Sequence, residues 1–536
     1  MKSKTNIFKY IFIFVVISLI CYCIYYMYEK NKQEENNNID TSQNQETTTL
    51  TDIRLAIAGF DTMNPILTNN KNVQDISKLI FEPLLDLDNQ YKIKPCLAKE
   101  WSKINDTTYL IKLRNDIKWQ DGQKFTAKDV QFTIDKLKDT SIYSVYAVNV
   151  GNVIQVEVID DYTVRITLNE EVPFFEYNLT FPILSKSYYE EEDFISTEKN
   201  NMPVGTGKYK ITYLDGNKIT LQKNTEWWNI KAENSIIQTI NIGLYTSVGE
   251  VYNEFKLGNI DLINTSIINI EEYLGTMGYF TKEYTTRQYD FLVMNCEKNT
   301  LSDSLVRNAI AYGIDRDNII ASIYNNKSAI ADFPLDYGNY LYNVDKVNSG
   351  FNPNKTNELL TQAGWTYKYK YWQKTENYRT SKLNLKLVVN ASNISRVAVA
   401  ELIEEQLENT GIIINVIKAS DSQYQAYIEN KNYDMILTGV KSSISPNLNT
   451  YLGTDNMANF HNEEVDIIMQ DVVNITDENM LKEKYNRLIE IYNGERPYIS
   501  LYCNKNTIIY NSTLIGDINP TSYNIFYNFE KWYRQN

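Results

Sequence analysis

Residues 385–438 read LKLVVNASNISRVAVAELIEEQLENTGIIINVIKASDSQYQAYIENKNYDMILT. Two apolar runs, LKLVVN at 385–390 and IIINVI at 412–417, bracket a stretch in which Val399, Ile403 and Leu407 recur at i, i+4 and i+8. That spacing puts the three on one face of a helix, and Gly411 marks where the helix stops. A second, shorter helix then leads to a third run, YDMILT at 433–438. The order β-α-β-α-β calls for parallel strands with helices on their faces, because a parallel connection has to cross back over the sheet.

Upstream the rhythm differs. Tyr109, Ile111 and Leu113 alternate as a strand. Val156 and Val158, then Tyr162, Val164, Ile166 and Leu168, alternate on either side of Asp160 and Asp161, which predicts a hairpin. Tyr209, Ile211 and Tyr213 face Ile219 and Leu221 across Asp215-Gly216, a two-residue turn signal. The first half is therefore rich in antiparallel strands. Thr126 and Asp129 have capping-box spacing ahead of Val130, Ile134 and Leu137, and a helix starting near Asp303 carries Leu305, Ala309 and Tyr312, with Arg307 as an internal ion-pair partner.

Composition narrows the function. The 536 residues hold 53 Lys and Arg against 67 Asp and Glu, a net charge of −14, which argues against nucleic acid as a partner. Gly205-Thr206-Gly207-Lys208 lacks both the upstream glycine and the following Ser or Thr of a phosphate loop, so its glycines are expected to permit a tight turn into the strand at Tyr209. His461 is the one histidine, and neither G-x-S-x-G nor H-E-x-x-H accompanies it. No catalytic residue, metal or cofactor is expected. Cys96, Cys296 and Cys503 cannot all pair within one chain and are expected as free, buried thiols.

The N-terminus predicts a membrane anchor. Lys2, Lys4 and Lys9 precede an uncharged, mostly apolar stretch over 10–28, and nineteen helical residues cover about 28 Å, close to the thickness of a bilayer core. The positive flank predicts a cytoplasmic N-terminus, a polar stalk over 31–50 and an extracellular soluble part, hence a single-pass protein of the cell membrane. Cleaved export and lipid attachment at Cys21 or Cys23 are the alternatives; the residues before those cysteines, Ile20 and Tyr22, are not the small ones a lipoprotein signal uses.

The segment from Ile80 to Leu137, with Phe81-Glu82-Pro83-Leu84, Leu97-Ala98, Trp101, Leu113-Arg114, Trp119-x-Asp121-Gly122 and Thr126-Ala127-x-Asp129-Val130, resembles the extracellular solute-binding protein family that serves peptide and nickel ABC importers. PVGTGKYKI at 203–211, NTEWWN at 224–229, LGNIDL at 257–262, VRNAIAYGIDRDNI at 306–319, ELLTQAGW at 358–365 and ERPYISLY at 495–502 extend the likeness over nearly all of 51–515. The resemblance implies a periplasmic-binding-protein-like α/β fold: two lobes around a cleft, with an extra lobe inserted into the first. Lobe I would be 51–76, 202–285 and 510–536, the inserted lobe II 77–201 and lobe III 286–509, with FLVMNC at 291–296 crossing into lobe III.

The resemblance also implies a monomeric, non-enzymatic receptor that captures an oligopeptide or related solute for an ABC permease. A transport-independent signalling or structural ectodomain is the alternative, and few nickel ligands are present. In peptide-binding members the ligand backbone is bonded as an added strand, and a G-W-x-x-D segment supplies an Asp for the peptide's amine. Here that segment reads Gly439-Val440-Lys441-Ser442-Ser443, with neither the aromatic nor the acid. By resemblance the ligand-binding residues are Gly59, Phe60 and Asp61, facing Gly439, Val440, Lys441 and Ser443, with Tyr143 or Tyr146 near the ligand's side chains. Lys441 and Asp61 would offer opposite charges to the ends of a zwitterion.

Overall fold

The strand Asp52–Ala58 buries Ile53, Leu55 and Ile57 and pairs in parallel with Thr239–Tyr245, in register from Asp52 opposite Thr239 to Ala58 opposite Tyr245. This is seen in a computed structural model that describes residues 49–190, 192–232, 235–267, 278–346 and 350–535. Lys218–Lys223 and Tyr209–Leu214 complete that sheet as an antiparallel pair. Their turn is one residue longer than the Asp215-Gly216 signal predicts. Asn217 joins it, and the Asp215 carboxylate accepts from the amides of Asn217 and Lys218 at 2.8 and 2.9 Å.

Between Ala58 and Tyr209 the chain builds a four-stranded antiparallel sheet, ordered Ala98–Asn105, Thr108–Leu113, Thr163–Leu168, Val153–Asp160. The helix Ala127–Lys138 covers it with Val130, Ile134 and Leu137 buried. Its capping box forms as the spacing predicts, and the Asp129 carboxylate also accepts from the amide of Lys186 at 2.8 Å, which ties a distant turn to the helix start.

The third assembly holds the parallel unit. Asn384–Asn390 pairs in parallel with both Ile413–Ala419 and Met435–Lys441, with the helix Ile394–Asn409 between the first two strands in sequence. Gly411, at φ +87°, ends that connection as expected. The third strand runs on past 438 to Lys441, so Gly439, Val440 and Lys441 are strand residues. Two long strands, Tyr279–Met294 and Tyr498–Asn511, continue the sheet to Leu262–Thr265. Cys96, Cys296 and Cys503 are free, Cys96 buried as expected and the other two only partly buried.

Two expectations are revised. Gly205 and Gly207 have φ outside the left-handed region, and the chain bends over 206–208 into the strand Tyr209–Leu214, but what requires glycine at both positions is a close approach of main chains. A Cβ on Gly205 would lie 1.9 Å from the carbonyl oxygen of Ile80, and one on Gly207 2.7 Å from it, so both glycines exist to let two main chains touch. The expected membrane anchor is also withdrawn. Residues 10–28 lie outside the described residues, and among the described residues no helix is long and apolar enough to cross a membrane. The longest described helix, Glu478–Glu495, carries Lys482, Glu483, Lys484, Arg487 and Glu490, charges a bilayer core would not accept. The fold class is two α/β lobes around a cleft. The preceding membrane segment, the transmembrane helix, the membrane as a partner and the single-pass location fall with the anchor.

Gly205→Ala should destabilise the chain by about 3 kcal/mol through forced backbone displacement. Gly216→Ala, where nothing lies within 4 Å, should stay within about 0.5 kcal/mol. Urea midpoints check both, and equal midpoints would refute the main-chain packing argument.

Candidate functional site

The two long strands slip register where they cross between the assemblies. Thr285 stands opposite Lys505 and Tyr289 opposite Cys503, so residues 286–288 face Asn504 alone. A bulge of this kind bends the strand and re-aims a side chain. The residue it re-aims is Arg287, whose carbonyl accepts from the amide of Ser442 at 2.8 Å and whose Nη1 donates to the Ser442 carbonyl at 3.3 Å. Gln288 pairs with Lys441, Tyr289 with Val440 and Asp290 with Gly439, which fixes Arg287 beside the end of the strand Met435–Lys441.

Arg287 and Lys441 lie side by side along this strand pairing. Burial lowers the pKa of both and that of Lys78; the charge of Arg287 lowers Lys441 further, and the charges of Lys71 and then Arg287 lower Lys78. Lys78 is brought down to about 7. None of the three has a carboxylate within 4 Å among the described residues; the ammonium of Lys78 sits 3.8 Å from the ring centre of Tyr523. The acids nearby are engaged elsewhere. Asp75 is ion-paired with Lys71. Asp86 holds Lys94 at 3.0 Å and the Tyr523 hydroxyl at 2.9 Å. Asp336 accepts from the amide of Gly338 at 3.1 Å and from Ser522 at 3.4 Å.

Lys78, Tyr146 and Tyr523 form one end of a cavity of about 540 Å³, which continues to Glu82, Arg114 and Trp228. Arg114 lies over the Trp228 ring at 4.4 Å. The indole N–H groups of Trp227 and Trp228 donate to the Glu82 carboxylate at 3.0 and 2.9 Å. Burial nonetheless raises the Glu82 pKa to about 7, outweighing those donors.

The residues singled out from sequence fall into separate places. Gly59 has φ +62° and donates its amide to the Tyr245 carbonyl at 2.8 Å, and Phe60 packs on the first core. The Asp61 carboxylate is taken up by its own loop, accepting from the Thr62 and Asn69 amides at 2.7 and 3.0 Å and from the Thr68 hydroxyl at 2.7 Å. Asp61 shares a recess of about 390 Å³ with the exposed Tyr143. Tyr146 instead lines the larger cavity, and burial pushes its hydroxyl up to about 12.

Gly439 faces an ion pair: Arg396 donates to Asp290 at 2.7 and 2.9 Å, and a Cβ on Gly439 would come within 2.0 Å of the Asp290 carboxylate. Val440 packs on the core around Tyr289, and the Ser443 hydroxyl accepts from the Ser445 amide at 3.1 Å. Sequence reasoning missed Arg287 and Lys78. No motif marks either, since a bulge depends on the register of strands more than two hundred residues apart.

The family model for bacterial extracellular solute-binding proteins, family 5, middle region, matches residues 92–462, and the chain belongs to that family. Its curated relatives include the oligopeptide-binding protein AppA of Bacillus subtilis, 22% identical over 494 residues that span 88% of this chain and 89% of AppA. The periplasmic oligopeptide-binding protein OppA of Escherichia coli is 25% identical over 484 residues, 80% of this chain and 82% of OppA. Among solved structures, a nickel ABC transporter protein from Bacillus halodurans shares the fold with a TM-score of 0.74 at 20% identity, over 89% of this chain and 98% of that one. Among the described residues no group of three or more His, Cys, Asp or Glu side chains is placed to hold a metal ion.

The Glu82 environment sets a pH dependence. The folded chain keeps this proton up to about pH 7, whereas the unfolded chain releases it near the usual 4.5. The folded state therefore binds more protons between those values, and stability falls as pH rises through that window, by up to about 3 kcal/mol. Glu82→Gln should flatten that part of a plot of Tm against pH. A variant with the parent's slope would show that Glu82 is ionised throughout.

Proposed function

We propose that the protein captures a peptide-like solute at the end of the strand Met435–Lys441, with ligand side chains entering the cavity at Tyr146. As a member of its family it is the substrate-binding component of an ABC importer and not an enzyme. It works by holding and releasing a solute and presenting it to a permease. The observation that carries the peptide reading is an open strand edge. Met435 and Ile436 pair with Leu387 and Val388, but that parallel register ends there, leaving Gly439, Val440 and Lys441 paired on one side only, to Asp290, Tyr289 and Gln288.

An extended backbone added to such an edge gains main-chain hydrogen bonds whatever its sequence, while the pockets beside it sort side chains. A polar cavity of about 540 Å³ accepts varied side chains together with water, which keeps affinity tolerant of sequence. The relatives named for oligopeptide binding support this reading, and the absence of the G-W-x-x-D aromatic and acid sets it apart from an amine-anchored version.

Native mass spectrometry of the full-length protein with a random pentapeptide library tests the proposal. Peptide-mass adducts and a raised Tm are expected. The absence of any adduct or thermal shift with the whole library would overturn it.

A further inference from the structure

We infer that the exposed three-stranded ribbon over 366–382 is a second binding surface, separate from the peptide cleft, and that it takes a linear chain of phosphate groups.

The ribbon consists of Thr366–Lys368, Tyr371–Glu376 and Arg379–Lys382, paired antiparallel in that order. Its base is fixed. Trp372 is buried, donates its indole N–H to the Thr410 carbonyl at 2.8 Å and packs against Tyr367, and a Cβ on Gly411 would lie 2.5 Å from the Tyr367 ring. The ribbon joins the main sheet at the start of the strand Asn384–Asn390. Gly439–Lys441 lies past the opposite end, because the two strands are parallel with Leu387 beside Met435. No residue of the ribbon lines the cavities at Asp61 or Glu82.

Charge is the first observation. Residues 366–382 hold Lys368, Lys370, Lys374, Arg379 and Lys382 against Glu376 alone, in a chain whose net charge is −14. Glu376 is taken by Lys374 at 3.0 Å. Among the described residues the other four cations have no carboxylate within 4 Å. Lys368 sits 5.1 Å from the Tyr369 ring centre and Lys382 4.4 Å from that of Tyr371. Lys368 pairs across the strands with Tyr371, and Lys382 with Gln373, so both cations share the face opposite the one that Trp372 buries.

The turns are the second observation. Each is a two-residue loop with both residues in the left-handed region: Tyr369 and Lys370 at φ +54° and +71°, Asn377 and Tyr378 at +48° and +62°. Such loops favour Asn-Gly, and a bulky side chain there strains the backbone. Packing does not call for the tyrosines either, since Tyr369 is 76% exposed and Tyr378 fully exposed. Strain that neither folding nor packing accounts for marks a place with another duty.

The six residues of Tyr371–Glu376 hold the two turns about 20 Å apart. Cations and phenol hydroxyls therefore lie along a strip, which fits an extended chain better than a compact ligand. Four of the five cations are lysines, point charges that meet a phosphate oxygen from many directions, and exposed phenols donate to the same oxygens. The Tyr369 and Tyr371 rings already carry lysine ammonium groups, which occupies ring surface that a nucleic-acid base would need for stacking. Contact of this kind would retain the receptor at an anionic polymer outside the cell while its cleft stays free.

The full-length protein titrated into fluorescein-labelled linear polyphosphate, read by anisotropy, tests this. Binding is expected, with a slope of log affinity against log salt of about −3, as four neutralised phosphates give on a flexible chain. Poly-L-glutamate and oligothymidylate of matched charge should bind at least tenfold more weakly. Lys368→Gln combined with Lys382→Gln should weaken polyphosphate at least tenfold and halve the slope. Tyr369→Asn combined with Tyr378→Gly should weaken it at least threefold while keeping or raising the Tm, because both turns relax. Neither variant should change the peptide adducts seen by native mass spectrometry.

Polyphosphate affinity within twofold of the parent after the lysine substitutions, or a salt slope near zero, would overturn the inference. Tighter binding of poly-L-glutamate would overturn it in favour of an acidic protein partner, and tighter binding of oligothymidylate in favour of nucleic acid. A lowered Tm in the tyrosine variant with polyphosphate affinity unchanged would assign both tyrosines to the fold and overturn their part in binding.

Discussion

The pairing of Tyr279–Met294 with Tyr498–Asn511 is the constraint on which the molecule depends. These strands run within one sheet from the edge strand Leu262–Thr265, where Leu262, Ile508 and Tyr510 pack in the core that holds Ile53, Leu55 and Ile57, to the parallel strands, where Leu292, Met294, Ile499 and Leu501 pack in the core under the helix Ile394–Asn409. A continuous ladder would make them a stiff ribbon. It is interrupted twice, between Thr285 and Tyr289 and again between Asp290 and Phe291, and the first and wider slip carries Arg287. The irregularity that bends the crossing also aims a cation at the strand end where the ligand is proposed to lie. Geometry and charge are set by the same three residues.

Around this crossing, polar groups are satisfied in ways that leave a particular remainder. The buried Asp290–Arg396 pair is bidentate and also receives the Tyr502 hydroxyl at 3.1 Å, and Gly439 is glycine because any side chain would strike it. Deeper in, Glu82 takes two indole donors and stays protonated into the neutral range. Buried polar groups that are paired rigidify a fold, while those left unpaired carry a cost that a ligand can relieve. Among the described residues Lys78, Arg287 and Lys441 have no carboxylate within 4 Å.

Much of the architecture was legible in the sequence because it rests on local rules. The spacing of Val399, Ile403 and Leu407, the Thr126 and Asp129 capping box and the stop at Gly411 each act within a few residues, and each forms as expected. Non-local effects were not legible. Gly205 and Gly207 answer to the backbone of Ile80, more than a hundred residues away, and read alone they look like turn glycines. Lys441 could be singled out because it replaces a family pattern. Arg287 could not, since its position comes from strand register, and Asp61 looked available because the bonds that occupy it close only when its loop folds.

The most direct test of the account is a crystal structure of the protein with a bound peptide. The account predicts a ligand backbone hydrogen-bonded along the free side of Gly439–Lys441. A peptide bound elsewhere, for instance in the recess of Asp61 and Tyr143, with the edge at Gly439–Lys441 left unpaired, would contradict it.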